Sequence, residues 1–175
     1  MPLDASEARA LPGASQALSI MVLDTPIGRV ALHWRGARRI GALERVALAA
    51  GDLDAPQAPK WLSAPFSAYF QEPSQAIDLP TRLVGTSFQH RVWRAVAAIP
   101  VGSTRTYGAL AADLGSSARA VGGACRANPC PLVVPCHRVV ARQGLGGFAG
   151  DRDGRLLAIK QRLLDHEARA PHPGL

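Results

Sequence analysis

Apolar positions along the chain first alternate in the manner of strands and later recur every three to four residues, in the manner of helices. Leu18 to Leu23 and Arg29 to Trp34 read as strands, separated by Asp24-Thr25-Pro26-Ile27-Gly28, whose Pro and Gly mark a turn. A third strand is expected near Arg39–Leu48, followed by a Pro-containing loop from Asp52 to Pro59 and a helix over Trp61–Phe70. Gln71 to Gly85, with Pro73 and Pro80, reads as a connection. The chain thus divides into a flexible leader at 1–17, a small α/β sheet unit with its connection at 18–84, and a helical unit at 85–170.

The helical unit carries the stronger signals. Phe88, Val92, Val96 and Ile99 fall at i, i+4, i+8 and i+11 behind Ser87 as a candidate cap, and Pro100 ends the run. Thr106 to Leu114 reads as a short helix closed by Gly115, and Ser116 or Ser117 opens another that runs to about Ala127 before Asn128-Pro129. Two short helices about a glycine turn fit a helix-turn-helix. The second has Ala120, Gly123, Ala124 and Ala127 as a stripe of small residues, with Arg119 and Arg126 flanking Gly122. Mid-helix glycines cost roughly 1 kcal/mol each relative to alanine, a cost that close approach of another surface would justify. Pro131-Leu132-Val133-Val134-Pro135 reads as a short apolar strand delivering Cys136 and His137. Gly144 to Gly150 is a Gly-rich loop around Phe148, and a last helix spans Arg155 to Ala168. Glu167 lies four residues past Leu163 and three past Leu164, on the apolar face, where a carboxylate needs a partner.

With 175 residues, 47% of them apolar, the chain can bury a core, which excludes wholesale disorder. No run approaches the roughly 18 apolar residues that span a bilayer. The first residues carry Asp4, Glu7 and Arg9 in place of an apolar signal, and three cysteines make an odd count. Together these point to a reducing cytoplasm and away from a disulfide scaffold or a membrane. The net charge of +7 is concentrated. Residues 85–150 hold seven arginines (91, 94, 105, 119, 126, 138 and 142) and a single acid, Asp113, which points to a polyanion at that segment.

Burial raises a thiol's pKa, so a reactive Cys136 requires a base. His137 is adjacent in sequence, yet successive side chains diverge, so a bridging water is a candidate relay. Glu167 could orient the imidazole as the third member of a triad does. The bland alternative from residue types alone is a packed cysteine, a satisfied histidine and a helix-end carboxylate. Cys125 and Cys130 read as small core residues, and their spacing to Cys136 and His137 does not match a zinc pair. Trp34, Trp61 and Trp93 read as core.

The ordered series Gly85-Thr86-Ser87-Phe88-Gln89, Val92-Trp93, Ile99-Pro100, Thr106-Tyr107, Arg119-Ala120-Val121-Gly122-Gly123-Ala124, Asn128-Pro129, Val134-Pro135-Cys136-His137-Arg138-Val139, Gly146-Gly147-Phe148, Lys160, Leu163-Leu164 and Glu167 closely resembles the O6-alkylguanine-DNA alkyltransferases. The resemblance is strong over 85–168 and general over 18–84. It implies an α+β fold, with a small RNase H-like antiparallel sheet domain ahead of a mostly helical domain that holds the helix-turn-helix and the active-site loop. It also implies direct-reversal repair. The helix-turn-helix would dock in the minor groove of double-stranded DNA and flip out O6-alkylguanine, with O4-alkylthymine as a further candidate, and Cys136 would take the alkyl group once. His137, through water, would take the thiol proton, with Glu167 holding it. Asn128 would fix the turn, and Tyr107 would donate toward the base and press on the target phosphate. Arg119 would fill the gap in the duplex, with Thr106, Ala120, Gly122, Gly123, Ala124 and Arg126 also on DNA. The carbonyls of Cys136 and Val139 would read the guanine amino group, and Phe148 and Ala149 would close over it. Phe148 stands where many members carry Tyr, which puts more weight on Tyr107. Asp151-Arg152-Asp153 replaces a shorter Gly-rich stretch. The expectation is a monomer, with cooperative binding on DNA as a further candidate, and no metal or cofactor. Two other readings share these residues: a non-transferring lesion binder, which would replace Cys136, and a Cys-His hydrolase.

Overall fold

A computed structural model of the chain describes residues 17–37, 41–151 and 154–170. Residues 1–16 of the expected leader (1–17), Arg39 and Ile40 of the expected third strand, and Arg152-Asp153 lie outside the described residues. Strand β1 (Leu18–Thr25) pairs antiparallel with β2 (Gly28–Arg35), and β2 with β3 (Ala42–Ala47), giving the sheet order β1-β2-β3. The first hairpin closes Thr25 on Gly28, with Gly28 at φ 105°. That left-handed conformation is one a residue with a Cβ rarely adopts. One face of the sheet packs on α1 (Lys60–Gln71), which buries Leu62, Phe66 and Tyr69 against Val30, Leu32 and Leu43. Trp34 and Trp61 meet edge to face at 5.0 Å, so the first two tryptophans stabilise this core as expected. Trp93 is buried too, and its Nε1 donates to Ala124 O at 2.8 Å.

The remaining elements are α2 (Ser87–Ala97), β4 (Arg105–Thr106), α3 (Tyr107–Asp113), α4 (Ala118–Arg126), a 3-10 turn at Cys136–Arg138, β5 (Val139–Val140) and α5 (Arg155–Glu167). The cap of α2 is Thr86 rather than Ser87. Its Oγ1 accepts from Gln89 N while Gln89 Oε1 accepts from Thr86 N, a reciprocal box that satisfies two end amides at once. Ser117 caps α4. Helix α3 ends with Gly115 at φ 59°, where Gly115 N donates to Ala112 O and Ser116 N to Ala111 O. This is the Schellman pattern that turns the chain sharply into α4. The expected strand at Pro131–Pro135 is instead a tight turn with Leu132 at φ 78° and Val134 N donating to Cys130 O. Two prolines remove the amides a ladder would use. The fold is α+β, a small antiparallel sheet followed by helices. Among the described residues no helix is long and apolar enough to cross a membrane.

The two halves meet behind the active-site turn. Val46 N of β3 donates to Pro129 O at 2.9 Å, and the buried Cys130 thiol lies 3.9 Å from Leu43 O. Cys130 is thus a core residue at this junction.

Candidate active site

Pro135, at φ −79° and ψ 63°, forms an inverse γ-turn in which Cys136 N donates to Val134 O at 2.8 Å. The chain then enters the 3-10 turn, so Cys136 and His137 project in different directions. Cys136 Sγ accepts from Asn128 Nδ2 at 3.2 Å, whereas His137 Nε2 meets Glu167 Oε1 at 2.8 Å. Asn128 fixes the turn through three further links: Nδ2 to Val134 O at 2.8 Å, Cys130 N to its Oδ1 at 3.0 Å, and its own N to Cys125 O at 3.2 Å. Burial pushes the Cys136 thiol up from its ordinary value, opposed by the Asn128 hydrogen bond and the positive field of Lys160.

Glu167 is buried as its position on α5 requires, and it has more partners than the sequence indicated. Oε1 accepts from Tyr69 Oη, His137 Nε2 and Arg138 Nη2, each at 2.8 Å, and Oε2 accepts from Arg138 Nε at 2.9 Å. Arg138 also donates Nη1 to Ile99 O at 2.7 Å. Burial works against the Glu167 carboxylate, but hydrogen bonds from His137 and Arg138, with the Arg138 charge, hold its carboxyl well below the usual range. An ionised Glu167 places the imidazole proton on Nε2. Nδ1 is then the basic nitrogen, and it is buried without a protein partner among the described residues. Burial lowers the His137 pKa, against the pull of Glu167, so the ring rests neutral.

Cys136 lies at the floor of a cleft of about 480 Å³ beside α4, bounded by Tyr107, Arg119, Gly122, Gly123 and Arg126 on one side and by the loop from Gly147 to Asp151 on the other. That loop is a hairpin: Phe148 and Asp151 exchange backbone hydrogen bonds, and Ala149 (φ 48°) and Gly150 (φ 103°) have the positive φ pair of a type I′ turn. Phe148 is buried, Ala149 and Gly150 exposed. Lys160, itself buried, pins the loop by donating Nζ to Val139 O, Leu145 O and Gly147 O at 2.6, 2.7 and 3.0 Å. Burial pulls its pKa down to about 8. Tyr107 Oη donates to Gly147 O at 3.0 Å, and burial raises its pKa.

Other expected site residues fall in varied places. Arg119, Gly123 and Arg126 are exposed at the cleft, with Gly122 half-buried. A Cβ at Gly123 would meet nothing within 4 Å, and one at Gly122 only Tyr107 at 4.0 Å. The chain's own packing therefore does not require these glycines. Ala120 is half-buried, and Ala124, expected on the outer stripe, is 3% exposed. Val121, Ala124 and Cys125 recur at i, i+3 and i+4 and form the face of α4 that packs on α2, so Ala124 is a core residue. Thr106 caps α3, its Oγ1 accepting from Ala109 N. Val139 has a fully buried side chain outside the cleft lining, and its carbonyl already accepts from Lys160. The Cys136 carbonyl likewise accepts from Val139 N. Cys125, expected as core, is buried but also lines the cleft; burial pushes its thiol up to about 12. Sequence reasoning assigned no role to Tyr69, Arg138 or Lys160. For Arg138 a signal existed, because an arginine beside a buried His in a short turn has few places to put its charge.

The description "6-O-methylguanine DNA methyltransferase, DNA binding domain" matches residues 87–169. A methylated-DNA–protein-cysteine methyltransferase of Mycolicibacterium paratuberculosis is 47% identical over 100 residues, covering 54% of this chain and 61% of the relative. One from Salmonella typhimurium is 48% identical over 113 residues, 62% of this chain and 63% of the relative. The matched segments thus span about three fifths of these curated relatives. The crystal structure of Mycobacterium tuberculosis O6-methylguanine methyltransferase superposes with a TM-score of 0.72 at 33% identity, covering 89% of this chain and 96% of that one. The same protein in complex with DNA superposes at 0.65 and 33% identity, over 88% and 96%. Alike in sequence across the helical half and in fold across nearly the whole of a solved chain, this protein belongs to the O6-methylguanine-DNA methyltransferase family.

Proposed function

We propose that this protein reverses alkylation of DNA directly, taking the alkyl group of O6-alkylguanine onto Cys136 Sγ once per molecule. The observation that carries the reading is a buried thiol at the floor of a cleft beside a helix-turn-helix, backed by a neutral imidazole whose other nitrogen is held by an ionised carboxylate. A guanine stacked in duplex DNA cannot bring its O6 substituent to such a thiol. It has to be extruded, at a cost of a few kcal/mol. Arg119, exposed at the cleft mouth, would stack in the gap. The glycine surface of α4 suits the minor groove, which is only about 6 Å wide.

In the transfer step the thiol proton passes to His137 Nδ1 through a bridging water. Sγ then attacks the alkyl carbon in line, the S–C bond forms, and the C–O6 bond breaks. The C–O6 electron pair stays on the purine as an anion delocalised over O6 and N1. A proton at N1, balanced by the one that His137 took up and can return through water, gives the keto base. Asn128 stabilises the thiolate, Glu167 holds His137, and Tyr107 would turn from Gly147 O toward the base. The Phe148–Asp151 hairpin would close over the purine. Residues 18–84 act in this reading as the sheet unit that buttresses the acceptor unit at 85–170. A thioether is a poor leaving group, so no turnover follows.

Incubation with duplex DNA containing O6-methylguanine should raise the intact protein mass by one methyl group, mapped to the peptide carrying Cys136. Cys136→Ala should bind the lesion without gaining mass. Wild-type protein that stays folded, binds the duplex and gains nothing would refute transfer and favour the lesion-binder reading.

A further inference from the structure

A second groove, of about 340 Å³, runs between β3, the C-terminal end of α4 and the tip of the loop, and it shares Arg126 and Ala149 with the acceptor cleft. Among the described residues its charged lining is Arg45 of β3 and Arg126 of α4, with no acid. Both arginines are exposed, and neither has an ion pair among the described residues. By contrast Arg29, Arg35, Arg82, Arg105 and Arg138 each face a carboxylate. Glu44, the extra residue where the β2–β3 register shifts, is already held by Arg35 and Arg82.

The two arginines are also rigidly related. Val46 N, one residue past Arg45, donates to Pro129 O at 2.9 Å, and Pro129 follows α4 by a few residues. Two exposed guanidinium groups without an ion pair among the described residues, carried on backbones tied together across a concave surface, suit phosphate oxygens, which arginine binds with directional, charge-assisted hydrogen bonds. We propose that this groove takes the sugar-phosphate backbone flanking the extruded nucleotide, so that the sheet unit contributes Arg45 to DNA binding. This rests on the reading that the cleft receives a nucleotide from duplex DNA. The strand leaving the cleft mouth past Arg126 would continue over β3, and Arg45 would neutralise one phosphate there.

Binding of the full chain to a fluorescent undamaged duplex, followed by anisotropy across a salt series, tests this. Each phosphate neutralised contributes about 0.9 to the slope of log affinity against log salt. Arg45→Gln is expected to weaken binding several-fold at low salt and to flatten the slope by about one, while Arg45→Lys keeps the wild-type slope. Transfer from free O6-benzylguanine, which needs no DNA, should be the same in Arg45→Gln and wild type. If Arg45→Gln matches wild type in affinity and slope while the wild type binds DNA, Arg45 touches no phosphate and the inference falls alone. If the wild type binds no duplex, the inference falls together with the function it rests on.

Discussion

Replacing Arg138 by Met removes the guanidinium that forks Glu167 and leaves the side-chain volume roughly intact. Glu167 would keep His137 and Tyr69 but lose both arginine hydrogen bonds, at 2.8 and 2.9 Å, and Ile99 O would lose its 2.7 Å donor. Breaking a buried ion pair by removing one partner costs about 3–5 kcal/mol. At about 2–4 °C per kcal/mol for a chain of this size, the melting midpoint should fall by about 6–20 °C near neutral pH. The pH dependence follows from the direction of the Glu167 shift. In wild type its carboxyl is held below the usual range, so the stabilisation is present above the unfolded carboxyl pKa and is lost as pH falls through the folded one. In Arg138→Met the folded carboxyl rises, Glu167 protonates earlier on acidification, and the deficit relative to wild type shrinks as pH is lowered. Denaturant melts of both proteins from neutral pH to about pH 3, through the usual carboxyl range, measure this. The double variant Arg138→Met, Glu167→Leu should recover stability relative to the single one, because it removes the stranded charge. A loss below about 1 kcal/mol, or a deficit that does not change with pH, would refute the account of Arg138 as the counter-charge of Glu167.

Two further substitutions probe the same site. Tyr69→Phe deletes one hydrogen bond to Glu167, worth about 1.5–3 kcal/mol for a charged acceptor. It should slow transfer several-fold and move the acid limb of the rate profile upward, because the carboxylate, with one donor fewer, pulls harder on the His137 proton; a profile identical to wild type would limit Tyr69 to packing. Asn128→Ala removes the donor to Cys136 Sγ and should raise the thiol pKa further, so thiolate absorbance and iodoacetamide alkylation should both shift to higher pH.

The periodic pattern and the end signals were enough to determine the three strands, the helices α2, α4 and α5 and the burial of Glu167, because each of these depends on neighbours a few residues apart. The residue types alone leave a packed Cys136 and a satisfied His137 open, and only the resemblance to the alkyltransferases singles out these two and Asn128. Pro131–Pro135 reads as a strand because its apolar character survives where two prolines remove the ladder amides, and the structure folds it into a turn. Ala124 was misplaced because small residues on α4 occupy both its outer face and the face against α2. The partners of Glu167 were beyond the sequence altogether. Tyr69 lies 98 positions away on α1, and it meets the carboxylate only because the sheet unit packs behind the active-site turn. The grip of Lys160 on three carbonyls and the pairing of Arg45 with Arg126 across a groove are likewise set by packing. Local sequence dictates which backbone forms and which face is apolar, whereas long-range burial decides which charges share a low-dielectric space.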